Sequence, residues 1–331
     1  MENYLYAGAR LRALENALIG RERMERLLLC ETTDDCWRLL EEWGVRLVRR
    51  DGSDAPDREA TLTARLSDSY AEVLSSTDGA AFARLRLLPY DCNNIKSAIK
   101  CQKRGLDPSR MLITLVGGIP TETVCAAIDR RAFELLPYPF ADAAREATEQ
   151  LSRTGDPREV DRILDAACYA GMLALARESG VPLALELVVK RIDLTNVMIA
   201  IRSIRMGGDA GRRTLAAFFL PGGRLSLSEL SEWSAAGEDA LLDRLGFTVL
   251  ERFARSARES DRSLAALERC ADDDLMETAR EAKFAPFGAE IAVGYLTACE
   301  YEIKDLRILL AGKSVGLDAD ALRERMRSSY V

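Results

Sequence analysis

The sequence contains no histidine. That removes the usual general base near neutral pH and the commonest metal ligand. Catalytic triads of the Ser-His-Asp or Cys-His kind are excluded with it. Asp, Glu, Lys and Cys could still serve an enzyme, but the prospect of catalysis falls. No stretch of about 18 apolar residues occurs, so no transmembrane helix is expected. The N-terminal Met1-Glu2-Asn3-Tyr4 lacks the basic and apolar stretches of a secretory leader. None of the eight cysteines forms a Cys-x-x-Cys pair, which leaves neither a zinc ribbon nor a thioredoxin-like redox pair. Small buried thiols in a reducing compartment are the expectation. Aromatic residues make up only 6% and are not interleaved with bases, so no stacking platform for nucleic acid is expected. A net charge of −7 also weighs against a nucleic-acid partner. Strand-like patterning is scarce; Ile113-Thr114-Leu115-Val116 is a short exception.

What is present reads as a soluble, all-α chain. With 331 residues, 48% hydrophobic and 30% charged, it can bury two or three cores. Tyr4, Ala7, Leu11, Leu14 and Leu18 recur at steps of three and four, the period of one helix face. Met24, Leu27 and Leu28 follow. Thr32-Thr33-Asp34-Asp35 offers N-caps for a helix bearing Trp37 and Leu40, with Gly44 as its stop. Prolines, Pro89 among them, are expected between periodic stretches. Tyr138-Pro139-Phe140, Phe218-Phe219 and Phe284/Phe287 are expected in core or inter-domain contacts.

The chain repeats itself. Asp91-Cys92-Asn93-Asn94-Ile95-Lys96-Ser97-Ala98-Ile99-Lys100 resembles Asp193-Leu194-Thr195-Asn196-Val197-Met198-Ile199-Ala200-Ile201-Arg202. A weaker third copy, Glu302-Ile303-Lys304-Asp305-Leu306-Arg307, places Asp305 where the others have Asn. Each copy leads into a glycine-containing break: Gly117-Gly118, Gly222-Gly223, and Gly312 through Gly316. Ser226 with Glu229 then reads as a capping box, and Asp318 as an N-cap. This argues for three similar helical domains, 1–110, 111–215 and 216–331, around a pseudo-threefold axis. Their net charges are 0, −1 and −6. The excess acid includes Asp272-Asp273-Asp274, read as a solvated face or as a docking face for a basic partner.

Gly312-Lys313-Ser314 looks like the end of a phosphate-binding loop, but Arg307 stands where its first glycine belongs. A glycine C-cap followed by a base explains the same letters. The acid-x-x-amide pattern places its two polar groups one helical turn apart. Beside Ile95, Ala98, Ile99 and Val197, Ala200, Ile201 it suits buried hydrogen bonds better than catalysis. Lys96, Lys100, Arg202, Arg205 and Arg307 could pair with acids or face a partner. Arg10 and Arg12 are candidates for the same polar contacts. Nothing has the spacing of a metal or cofactor site.

The chain resembles the C subunit of the V-type and A-type ATPases, the counterpart of the d subunit of the eukaryotic V-ATPase. The resemblance is carried by Tyr6-Ala7-Gly8-Ala9-Arg10-Leu11-Arg12-Ala13-Leu14-Glu15, Asp91 to Lys100, Asp193 to Arg202, Pro221-Gly222-Gly223, Glu300 to Arg307 with Gly312-Lys313, and Leu322 to Met326 with Tyr330-Val331. It runs from end to end in order. The resemblance implies a funnel-shaped, non-catalytic rotor component of the central stalk, peripheral on the cytoplasmic face of the membrane. It implies contacts with the D and F shaft subunits and with the proteolipid (c/K) ring. Torque would pass between the ATP chemistry of the A and B subunits and the ion path at the ring and the I subunit, with no cofactor or nucleotide bound here. A generic helical adaptor is the competing expectation.

Overall fold

The computed structural model describes the backbone of residues 2–49, 52, 54–76 and 81–331, and their side chains except those of 2–5 and 81–83. Sixteen α-helices lie among the described residues. They are α1 (Glu2–Glu15), α2 (Arg21–Leu28), α3 (Thr33–Glu42), α4 (Arg58–Ser76), α5 (Ala81–Arg104), α6 (Thr121–Asp129), α7 (Phe140–Thr154), α8 (Pro157–Ser179), α9 (Pro182–Met206), α10 (Gly208–Phe218), α11 (Leu227–Ala235), α12 (Glu238–Leu245), α13 (Glu251–Glu259), α14 (Leu264–Ala279), α15 (Ala289–Ser314) and α16 (Ala319–Arg323). Short 3-10 turns occupy 108–110, 133–135 and 280–284. No strand occurs among the described residues; one antiparallel bridge joins Arg49 to Pro56.

Local chemistry sets the helix ends. Thr32 and Asp35 form a reciprocal capping box at α3, as Ser226 and Glu229 do at α11. Asp318 accepts from the Ala321 N–H at the start of α16. Gly44, with φ of 86°, follows α3. Two sequence expectations need correction. Pro89 lies inside α5 rather than between helices. Its ring removes one backbone bond, and buried Leu87, Leu88 and Cys92 hold the helix together around it. Gly312 is not a C-cap: α15 runs on through Ser314, and Gly316 takes the left-handed conformation. The Leu317 N–H bonds the Gly312 carbonyl and the Gly316 N–H that of Lys313, a Schellman closure. Gly312 is needed for space, since a Cβ there would lie 2.3 Å from Leu322 Cδ2.

The chain divides into two compact units. One comprises 1–80 and 245–331, so both ends of the chain build it. In it α15 packs against α1, α4 and α14. Its core includes Leu11, Leu27, Leu40, Leu62, Phe253, Leu296, Tyr301 and Leu309. Ala7, Leu11 and Leu18 are buried as their period predicts, whereas Leu14 is half-buried and the Tyr4 side chain lies outside the described residues. The other unit is continuous, 81–244, and packs α5 along α8, α8 against α7 and α9, and α9 against α10 and α11. Its core includes Ile95, Ile99, Phe140, Leu164, Ile192, Val197 and Ile201. Six cysteines are buried and two, Cys30 and Cys125, half-buried; all are free thiols. Phe140 is buried, but Tyr138, Phe284 and Phe287 are exposed, whereas the sequence predicts core or inter-domain contacts for them.

Candidate functional site

Each of the first two signatures fastens a loop to its own long helix. On α5, Asn94 Nδ2 donates to the Ile113 carbonyl at 2.9 Å, and its Oδ1 accepts from the Ile113 N–H at 2.8 Å. One turn earlier, Asp91 Oδ1 accepts from the N–H groups of Gly118 and Ile119 at 2.8 and 3.0 Å. On α9 the arrangement recurs. Asn196 exchanges both bonds with Leu220, each at 2.8 Å, and Asp193 Oδ1 accepts from Leu225 N–H at 2.9 Å. The three-residue step puts acid and amide on one helix face. An amide carries both donor and acceptor, so it pairs with a backbone residue as a neighbouring strand would. The strand-like Ile113–Val116 is therefore held by a side chain, not by a strand.

The glycine pairs serve these contacts. A Cβ on Gly117 would lie 2.8 Å from Asp91 Oδ1, and one on Gly118 3.1 Å from Oδ2. A Cβ on Gly223 would lie 2.1 Å from Asp193 Oδ1. Only a bare backbone lets the carboxylate approach its donors.

The third copy works differently. The Asp305 carboxylate cannot donate to a carbonyl. It only accepts, from the Arg327 backbone N–H and from Arg327 Nη1 at 3.2 Å, so an ion pair stands where the other copies donate to a loop carbonyl. Arg327 Nε also donates to Asp272 at 2.6 Å, and Asp273 accepts from Ser328 N–H at 2.6 Å. Glu302 accepts from the Ile19 N–H and from Arg65 Nε at 2.7 Å. Asp272 and Asp273 of the acidic run are thus engaged by the chain's own residues, and Asp274 is buried, so the run is not a solvated face. Arg65 and Arg327 belong to no sequence motif, and Asp272 stands out only as part of an acidic run. One signal was available: Arg327 follows Asp305 by 22 residues, between the 19 of Asn94 to Ile113 and the 24 of Asn196 to Leu220.

Burial raises the carboxyl groups. Asp91 is pushed up to about 6 by desolvation, against the pull of the Ile119 and Gly118 N–H groups. Asp305 is likewise pushed up to about 6 by burial, opposed by the Arg327 cation. Asp193 is raised by burial and lowered by the N–H groups of Leu225 and Arg224.

The basic candidates are tied into ion pairs within each unit. Lys96 Nζ meets Asp165 at 2.6 Å and Lys100 Nζ meets Asp161 at 2.6 Å, both across α5 and α8. Arg205 forks onto Glu238 with two bonds of 2.9 Å. Arg10 pairs with Glu72, Arg307 Nε reaches Glu59 at 2.9 Å, and Arg12 holds Glu15 together with the Ala282 and Ala285 carbonyls. Arg202 is exposed on α9. Lys313 Nζ donates to the carbonyls of Leu28 and Cys30, both at 2.6 Å, so the Gly-Lys-Ser segment sits at a helix end and fastens another one. Among the described residues no group of three or more His, Cys, Asp or Glu could hold a metal ion. None of the described helices is long and apolar enough to cross a membrane.

Long helices that lock their following loops by buried acid and amide groups define a class: an all-helical fold built on a repeated backbone clamp. Residues 7–325 match the model of the ATP synthase (C/AC39) subunit, and the chain belongs to that family. The family expected from the sequence is the one found. Similar proteins include the C subunit of the V-type sodium ATPase of Enterococcus hirae, 26% identical over 97% of each chain. The C subunit of the A-type ATP synthase of Thermococcus kodakarensis is 24% identical over 97% of this chain and 89% of its own. The C subunit of the V-type ATP synthase of Deinococcus radiodurans is 22% identical over 99% and 92%.

Proposed function

We propose that this chain is the central-stalk rotor component of a V/A-type ATPase, joining the shaft of D and F subunits to the membrane proteolipid ring. The observation that carries this reading is the family match over residues 7–325. The geometry suits it: torque transmission needs stiff helices and fixed loops, and the clamps at Asn94, Asn196 and Asp305 supply both. The role needs no reactive group of its own; ATP chemistry belongs to the A and B subunits, and the ion path to the ring and the I subunit. The protein would be peripheral, on the cytoplasmic face. The three signatures support three related segments, 1–110, 111–215 and 216–331. Arg10 and Arg205, whose side chains are 49% and 35% exposed, keep charge available to a partner despite their ion pairs.

The test is affinity isolation of the tagged chain from gently solubilised native membranes, with mass spectrometry of what elutes. Recovery of the D, F, A and B subunits together with the proteolipid is the expected result. A chain that stays wholly in the soluble fraction and brings down none of them overturns the reading.

A further inference from the structure

The first clamp holds a segment that exposes apolar and basic side chains together. In residues 102–115, the end of α5 and the loop that follows it, Leu106, Met111 and Leu115 are 53%, 60% and 49% exposed. Lys103, Arg104 and Arg110 are exposed beside them. The one acid, Asp107, is turned onto its own backbone, where it accepts from the Ser109 N–H at 3.0 Å and Oγ at 2.5 Å. The loop thus carries +2 on a chain of net −7. Its shape is fixed from several sides. The Leu106 N–H bonds the Cys101 carbonyl at 3.0 Å, and the Met111 N–H that of Pro108 at 2.8 Å. Cys101 Sγ lies 3.5 Å from Met111 Sδ. Asn94 pins Ile113, and Asp91 pins the Gly118-Ile119 end.

An ordered loop that displays three aliphatic or thioether side chains has given up conformational freedom before binding, which lowers the entropy cost of docking on a shaped protein surface. Met and Arg are enriched at protein interfaces. The basic rim asks for an acidic counterpart. A bilayer needs no such rigidity of an inserted loop.

We propose that residues 103–115 form a docking face for another protein of the ATPase, one that presents an apolar patch rimmed by Asp and Glu. This rests on the functional reading above, and the test separates the two. Cells would carry, in place of their own copy, the tagged full-length chain as wild type, as a combined Leu106→Ser, Met111→Ser, Leu115→Ser variant, or as a combined Lys103→Glu, Arg104→Glu, Arg110→Glu variant. All six positions are exposed, so each variant should melt within a few degrees of wild type. Co-recovery of the other ATPase subunits is expected to fall at least about tenfold in both variants, with the wild-type interaction weakened by salt. Wild-type recovery with both variants equal to it overturns the docking face and leaves the functional reading standing. Failure of the wild type itself overturns both. Sedimentation of the wild type with phosphatidylserine-containing vesicles, lost in the two variants, would assign the face to lipid and overturn the protein partner.

Discussion

Asn94 and Asn196 each meet the donor and the acceptor of a single backbone residue, and a carboxamide carries its acceptor and its donors on separate atoms, so it can serve both at once. Truncation therefore strands two buried polar groups at once. Asn196→Ala should lower stability by about 2–4 kcal/mol, the range for a buried group left unpaired in a rigid site. Urea unfolding should show the midpoint falling with the slope unchanged. The aspartates predict a pH effect of defined sign. Asp91 titrates at about 6 in the folded chain, above the ordinary carboxyl value of 3.8. Between those values the folded state holds more protons than the unfolded one, so this residue's contribution grows as pH falls and is lost as pH rises through 6. Asp305 pulls in the same direction. Comparing wild type with Asp91→Asn isolates Asp91: between pH 7.5 and 4.5 the wild type should gain about 2 kcal/mol relative to the variant. A constant difference across that range would contradict the raised value. These residues were legible in the sequence because acid and amide recur at fixed spacing. Their partners Ile113 and Leu220 were not, because a backbone group leaves no letter in the sequence.

Helices and breaks were legible to different depths. Caps announce themselves locally, so Thr32, Ser226 and Asp318 fall where the sequence places them. The helix carrying Pro89 does not, because long-range burial of Leu87, Leu88 and Cys92 overrides a local breaker. The glycine pairs read as breaks, yet their use is closeness to a carboxylate. That distinction can be measured with two alanines. Gly223→Ala would put a methyl group 2.1 Å from Asp193 Oδ1, forcing the carboxylate off Leu225. Gly155, the C-cap of α7, has φ of 71° but open space around it. Gly155→Ala should cost about 1 kcal/mol through backbone strain alone, and Gly223→Ala roughly 2–3 kcal/mol. Hydrogen exchange tells the two apart further. Only the second should speed exchange at Leu220 and Leu225, the amides held by α9.

At the scale of the whole chain, the sequence repeats three times while the structure condenses into two units, and one of these joins the two ends. Sequence order hides that closure. Glu302 reaches Ile19 and Arg65 across 283 and 237 residues, and no local pattern encodes such separations. The segment after α16 completes the same unit. Arg327 answers Asp272 and Asp305, the Ser328 N–H answers Asp273, and the Tyr330 hydroxyl reaches Glu15 while its ring lies 4.9 Å from Lys283. Without that segment, Asp305 loses the Arg327 donors and Asp273 the Ser328 N–H that offset their burial, while Asp272 keeps Tyr301 and Lys304, and an uncompensated buried charge costs about 3–5 kcal/mol. The continuous unit contains neither end. We therefore expect the 81–244 fragment to fold alone, with a helical circular dichroism spectrum and a cooperative melt, and the 245–331 fragment to remain unfolded. Mixing 245–331 with 1–80 should restore helicity, because each piece holds half of one core: Leu11, Leu40 and Leu62 on one side, Phe253, Leu296 and Leu309 on the other. Arg327→Met in the full chain should weaken the first unit while hydrogen exchange at Leu220 and Leu225 in the second stays at its wild-type rate. Equal loss of protection in both units would mean that the chain unfolds as a single cooperative body.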